Sequence, residues 1–173
     1  MSADSSKTRG RGRKIIIGAL LGLVVIGLVI AFMRPAAAPQ VTFTSLTGNQ
    51  FSTEGLRGKV VMVNFWATDC PGCIAEMPKL VATYNKFRDK GFEMIAVAMQ
   101  SDPPNYVLAY TKQNNLPFPV ALDPMGKIAN AFGNVQLTPT SFIIDKRGNV
   151  ISRIVGEPDF TKLHALLEKH LKG

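Results

Sequence analysis

The run Val60-Val61-Met62-Val63-Asn64-Phe65-Trp66 constrains this chain more than any other stretch, because nearly unbroken β-rich apolar character marks a strand buried on both faces. Such a strand needs sheet neighbours at its edges and helices above and below. The following sequence supplies them. From Pro71 to about Lys90 the residues Ile74, Met77, Leu80, Val81, Tyr84 and Phe87 recur at helical spacing, with Pro78 as an internal kink. Phe92 to Ala98 reads as a second buried strand, and about Pro104 to Asn114 as a helix opened by paired prolines. Val120 to Leu122 is a short strand and Met125 to Phe132 a short helix. Ser141 to Asp145 and Val150 to Val155 form a hairpin around Lys146-Arg147-Gly148-Asn149, and Phe160 to Leu171 is a closing helix. Ahead of the central strand, Val41, Phe43 and Leu46 suggest an opening strand, with turns at Gly48-Asn49 and Leu56-Arg57-Gly58-Lys59. Strands alternating with helices predict an α/β layer architecture over residues 41–173.

The N-terminal part has a different character. Ile15 to Met33 is nineteen residues without a charge. At about 1.5 Å per residue it spans ~28 Å, close to the hydrocarbon thickness of a bilayer, so it reads as one transmembrane helix. The formal net charge of +8 collects in front of it. Residues 1–34 hold six basic residues against Asp4, a net +5, whereas residues 35–173 hold 14 basic and 11 acidic residues, a net +3. Five of the six basic residues precede the apolar run and Arg34 follows it, which places a basic tail, 1–14, in the cytoplasm and everything after Arg34 outside. Other readings stand beside this one; a globular core helix is set aside because the run is apolar all round. Ala36-Ala37-Ala38 offers a signal-peptide cleavage site, and the basic tail alone could face nucleic acid. The apolar run favours the anchor, with 34–40 as a proline-bearing linker and no nucleic-acid partner.

The chemistry concentrates at Cys70-Pro71-Gly72-Cys73, between the central strand and its helix. Unpaired N–H groups and the positive end of the helix dipole stabilise a thiolate at the first cysteine, which makes Cys70 the nucleophile. Cys73, deeper in the first turn, is expected to be shielded and to resolve the mixed disulfide that Cys70 forms. Pro71 suits a first turn, where its missing N–H has no intrahelical partner. A zinc half-site and two incidental thiols are the competing readings, and the strand-to-helix position of the pair on the oxidising side of a membrane speaks against the second; the zinc site fares no better. It lacks a second cysteine pair, and His164 and His170 are six apart on one helix and point in different directions. Both histidines read as structural or surface residues, and no cofactor is expected beyond the redox-active cysteine pair.

The stretch from Gly58 through Cys70-Pro71-Gly72-Cys73-Ile74-Ala75-Glu76-Met77-Pro78 strongly resembles membrane-anchored, thioredoxin-like disulfide reductases of the TlpA/ResA type. The resemblance covers about the whole of 41–173. It implies a thioredoxin fold, a central mixed sheet flanked by helices, with an N-terminal strand extension and an inserted helix and strand at about 103–122. By the same resemblance, Leu137-Thr138-Pro139-Thr140-Ser141-Phe142 is similar to the family's cis-proline loop. Pro139 would then face the cysteines, and the Thr138 backbone would pair with an extended substrate segment. Glu76 matches a carboxylate beneath the active site that modulates the cysteines and relays protons; otherwise it is a solvated helix acid. Asn64 stands where classical thioredoxins carry a buried aspartate, which leaves Glu76 as the proton carrier. Trp66 would pack beside the disulfide and contribute to substrate binding, or serve the core alone. Asp69 departs from the family, which most often has Trp there, and a carboxylate beside Cys70 opposes thiolate formation.

What the resemblance implies for function is reduction of disulfides in client proteins outside the cytoplasmic membrane. A transmembrane thiol donor of the DsbD/CcdA type would re-reduce the pair, and apocytochrome c or an oxidase-assembly protein is the expected client. A disulfide oxidant or peroxide-reducing enzyme of the same fold, or a binding module without chemistry, remains open at this point.

Overall fold

The computed structural model of the chain describes residues 22–27 and 36–172. Contacts divide the chain into Met1–Pro35 and Ala36–Gly173. In the first unit, residues 22–27 are helical with exposed side chains, and the rest of the expected 15–33 helix lies outside the described residues. Among the described residues no helix is long and apolar enough to cross a membrane.

The second unit begins with a small hairpin, β1 (Thr42–Thr44) and β2 (Gln50–Ser52), in which Phe43 stacks on Phe51 at 5.4 Å. The sheet follows: β3 (Val60–Trp66), α1 (Pro71–Phe87), β4 (Phe92–Ala98), α2 (Pro104–Gln113), β5 (Val120–Leu122), α3 (Lys127–Ala131), β6 (Thr140–Ile144), β7 (Val150–Val155) and α4 (Phe160–Leu171). Its order is β5-β4-β3-β6-β7. β3 pairs parallel with β4 and antiparallel with β6, so the expected central strand sits mid-sheet, and every one of its residues is buried.

Strand alternation divides β3 between two cores. Val60, Met62 and Trp66 face α1, α2 and α4, packing with Met77, Leu80, Phe87, Val107, Leu163 and Leu167. Val61, Val63 and Phe65 face α3, meeting Ile128, Ala129 and Phe132. Asn64 shares the parity of Val60, Met62 and Trp66, which aims a polar side chain at α1 from the middle of an apolar strand.

Several boundaries shift by a residue, among them β6, which runs Thr140–Ile144 and not Ser141–Asp145; three larger differences have a local reason. α3 begins at Lys127 and not Met125, because Gly126 takes a left-handed conformation and the Asp123 carboxylate accepts from the N–H groups of Ile128 and Ala129. α1 ends at Phe87, after which Arg88–Lys90 tighten into a 3₁₀ turn. Residues 36–38 of the expected linker lie against the β6–β7 turn, where Ala38 N donates to Gly148 O and Val150 N to Ala36 O, both at 2.8 Å. Ala38 is buried there.

Candidate active site

β3 ends at Trp66, and the four-residue turn Ala67–Cys70 carries the chain to α1. The turn is held from the loop after β4. Met99 N donates to Trp66 O at 3.0 Å, and the buried carboxylate of Asp102 accepts from Thr68 N at 2.7 Å and from Thr68 Oγ1 at 2.6 Å. Cys70 N donates to Ala67 O at 3.3 Å, which closes the turn.

Cys70 is the N-cap of α1, with extended backbone angles, and Pro71 opens the helix. The Cys70 sulfur accepts from Cys73 N at 3.2 Å. A sulfur held by a backbone donor at a helix N-terminus is placed where negative charge on it is stabilised. The two cysteines form a disulfide, with their Cα atoms 5.3 Å apart. Cys73 is fully buried, whereas Cys70 is half-buried, so an incoming sulfur reaches Cys70 first. The expected asymmetry of the pair is therefore present in the geometry.

The Thr138–Pro139 peptide is cis, and Pro139 lies against the active-site turn, since a Cβ built on Gly72 would stand 3.6 Å from Pro139 Cδ. Gly156 N donates to Pro139 O at 2.8 Å and Thr140 Oγ1 to Leu137 O at 2.7 Å, which fixes the loop on both sides. Pro139 is buried, Thr138 is half-buried and Leu137 beside them is exposed. The expected cis-proline loop and the cysteine turn thus meet.

Glu76 is fully buried, which excludes the solvated-acid reading. It lies three residues beyond Cys73, on the same helix face, so its carboxylate is one turn below the pair. Asn64 Nδ2 donates to Glu76 Oε1 and to Ser141 Oγ, each at 3.0 Å. Glu76 Oε2 has no hydrogen-bond partner. Burial pushes the Glu76 pKa up to about 7, against the opposing hydrogen bond from Asn64; Glu157 raises it further and Lys79 lowers it. This carboxyl group exchanges a proton near neutral pH.

Trp66 corrects one expectation. Its side chain is fully buried and packs against Tyr110 of α2 at 5.3 Å, so it cannot offer a surface to a substrate. The parity that sends Val60 and Met62 into the core sends Trp66 there too, and it supports the site from beneath. Asp69 is exposed. His164 lies between the rings of Phe87 and Phe160, within 2.9 Å of Thr83 Oγ1, away from the cysteines in a packing role.

Sequence reasoning missed Ser141 and Asp102. Ser141 had a weak signal, as a polar residue beside the apolar run Phe142–Ile144; that it lies opposite Asn64 is known only from the strand register. Asp102 had none, because Asp before Pro-Pro reads equally as the entry to a helix.

Comparison with known proteins follows the same lines. The Redoxin family model matches residues 35–167. The chain is 40% identical over 133 residues to the thiol-disulfide oxidoreductase ResA of Bacillus thuringiensis subsp. konkukian, a match covering 76% of this chain and 75% of that one. The ResA protein of Geobacillus kaustophilus is 34% identical over 138 residues, covering 80% of this chain and 76% of its own. Among solved structures, a thiol:disulfide interchange protein of the thioredoxin family from Chlorobium tepidum superimposes with a TM-score of 0.73 at 31% identity. That match covers 80% of this chain and 97% of the other.

Proposed function

The chain belongs to the Redoxin family and is a thiol-disulfide oxidoreductase, and we propose that it works as a membrane-tethered reductant of disulfides in extracytoplasmic client proteins. The observation that carries the direction is the burial of Glu76 below the Cys70–Cys73 pair. Negative charge held near a thiol disfavours its thiolate. A less stabilised thiolate makes the reduced pair less favoured and the pair a better electron donor.

The cycle runs as two exchanges. The Cys70 thiolate attacks one sulfur of a client disulfide, forming a mixed disulfide and expelling the other client sulfur as a thiolate. Cys73, deprotonated, then attacks the Cys70 sulfur, which releases the second client sulfur and closes the Cys70–Cys73 disulfide. The client gains two electrons and two protons. With its pKa near 7, Glu76 takes the proton from Cys73 and returns it as the pair is reduced again. The Thr138 backbone, beside the cis-proline, pairs with the extended client segment.

The uncharged run Ile15–Met33, with five basic residues before it, supports a single membrane anchor and an outward-facing domain. A transmembrane thiol donor of the DsbD/CcdA type would supply the electrons, and apocytochrome c or an oxidase-assembly protein is the client class. The test is the reduction potential of the full chain, equilibrated with glutathione buffers. The reading requires a value nearer thioredoxin, about −270 mV, than the oxidant DsbA, about −120 mV. A value at the oxidant end overturns it.

A further inference from the structure

The two ends of the five-stranded sheet differ in charge. β3, β4 and β5 run parallel, and β7 shares their direction because β6 is antiparallel to both β3 and β7. The loops leaving these strands lie at the active-site end. They carry Asp69, Asp102, Asp123, Glu157 and Asp159; Asp102 and Asp123 are buried in hydrogen bonds from Thr68 and from Ile128 and Ala129, and Glu157 and Asp159 form ion pairs with Lys79 and Lys162, which leaves the surface of this end near neutral. No Lys or Arg occurs in 67–70, 99–103, 123–126 or 156–159, nor in 132–139 leading into β6.

The opposite end is basic. There the connections 57–59, 88–91 and 145–149 meet the last turn of α4: Gly58 N donates to Lys146 O at 2.8 Å, Val60 N to Gly91 O at 3.0 Å, and Lys146 Nζ to Leu171 O at 2.9 Å. This end holds Arg88, Lys90, Lys146, Arg147, Lys169 and Lys172 against Asp89 and Asp145. Two further cations, Arg57 and Lys59, form ion pairs with Glu54 and Glu93. Lys146 caps α4, so the surface rests on its neighbours. The Arg147 side chain is 82% exposed, and a shallow cavity of about 290 Å³ lies between 145–147 and 169–170. The chain enters the domain at this same end, since Ala37 lies opposite Asn149 and Ala36 O accepts from Val150 N.

We propose that this basic end is a docking surface for the anionic phospholipid headgroups of a bilayer, holding the tethered domain with its disulfide turned away from the membrane. The inference rests on the proposed anchoring. Lys and Arg side chains near an anionic leaflet are attracted to its phosphates over about a screening length, whereas the loops around the disulfide carry no Lys or Arg to draw them to it. A neutral leaflet provides no such bias.

The test uses the full chain in nanodiscs of phosphatidylcholine alone or mixed with phosphatidylglycerol, each with a trace of gadolinium-bearing lipid to broaden nearby amide signals. With phosphatidylglycerol, the amides of 145–149 and 169–172 are expected to broaden more, and those of 67–70 and 156–159 less, than in phosphatidylcholine. The difference should vanish at ~1 M salt, where the screening length falls to about 3 Å. It should also vanish in the triple variant Arg147→Glu, Lys169→Glu, Lys172→Glu, with reduction of a small model disulfide unchanged. Equal broadening in both disc types, or greater broadening of the disulfide loops with phosphatidylglycerol, overturns the inference. A chain that does not co-purify with either disc overturns the anchoring itself, a result separable from the first.

Discussion

Asn64 donates from Nδ2 to Oε1 of Glu76 at 3.0 Å, tying the middle of the central strand to the carboxylate one helical turn below the disulfide. The same amide nitrogen also reaches Ser141 Oγ on the neighbouring strand. The carboxyl group is thereby fixed in place while burial keeps its pKa high.

A raised folded-state pKa has a definite consequence for stability. Glu76 moves from about 4.5 in the unfolded chain to about 7 in the folded one, so the folded state binds more protons between these values. Stability is full below pH 4.5, falls as the pH rises towards 7, and is level above that. Glu76→Gln should remove this slope and leave the variant more stable than the parent at pH 8, by on the order of 2 kcal/mol. Urea unfolding at pH 5 and pH 8 measures both. An unchanged slope would mean that Glu76 does not titrate in this range.

The hydrogen bond from Asn64 works against burial by stabilising the charged form. Asn64→Ala should therefore raise the Glu76 pKa by a further unit or so, roughly what a hydrogen bond to a charged group contributes. Carboxyl NMR titration of the two proteins reads the shift directly.

Much of the sheet was legible because its strands are rich in β-branched and other apolar residues. Val60–Trp66, Phe92–Ala98, Val120–Leu122 and Val150–Val155 stand where the pattern placed them. β2 was not legible, since Gln50–Ser52 carries one apolar residue and is a strand only because Phe51 pairs with Phe43. At the site, the cysteines and Pro139 were readable from motifs, and the burial of Glu76 was not. A helix acid is exposed or buried according to what faces it, here Asn64, which belongs to tertiary packing. Trp66 was misread in part because its place beside the cysteines in sequence concealed which face of β3 it lies on.

Asp102 joins two loops that share no secondary structure. Asp102→Ala removes both acceptors from Thr68 and leaves the Thr68 N–H without its partner, so it should destabilise the domain by about 2 kcal/mol. Thr68→Val loses only the hydroxyl bond and should cost less. Denaturant midpoints of the two variants settle the ranking.

The anchor is tested by topology. A reporter fused after Gly173 that is active only outside the cytoplasm is the expected result, because five basic residues precede the apolar run and one follows it.

The division of labour between the two cysteines is the centre of this account, and single-cysteine trapping measures it most directly. Cys70 is half-buried at the helix N-terminus and Cys73 is fully buried behind it. The Cys73→Ser full chain, reduced and mixed with a disulfide-bearing client, should accumulate a mixed disulfide through Cys70, because no second thiol resolves it. Cys70→Ser should accumulate little or none. Equal trapping by both variants, or trapping through Cys73 alone, would contradict the mechanism.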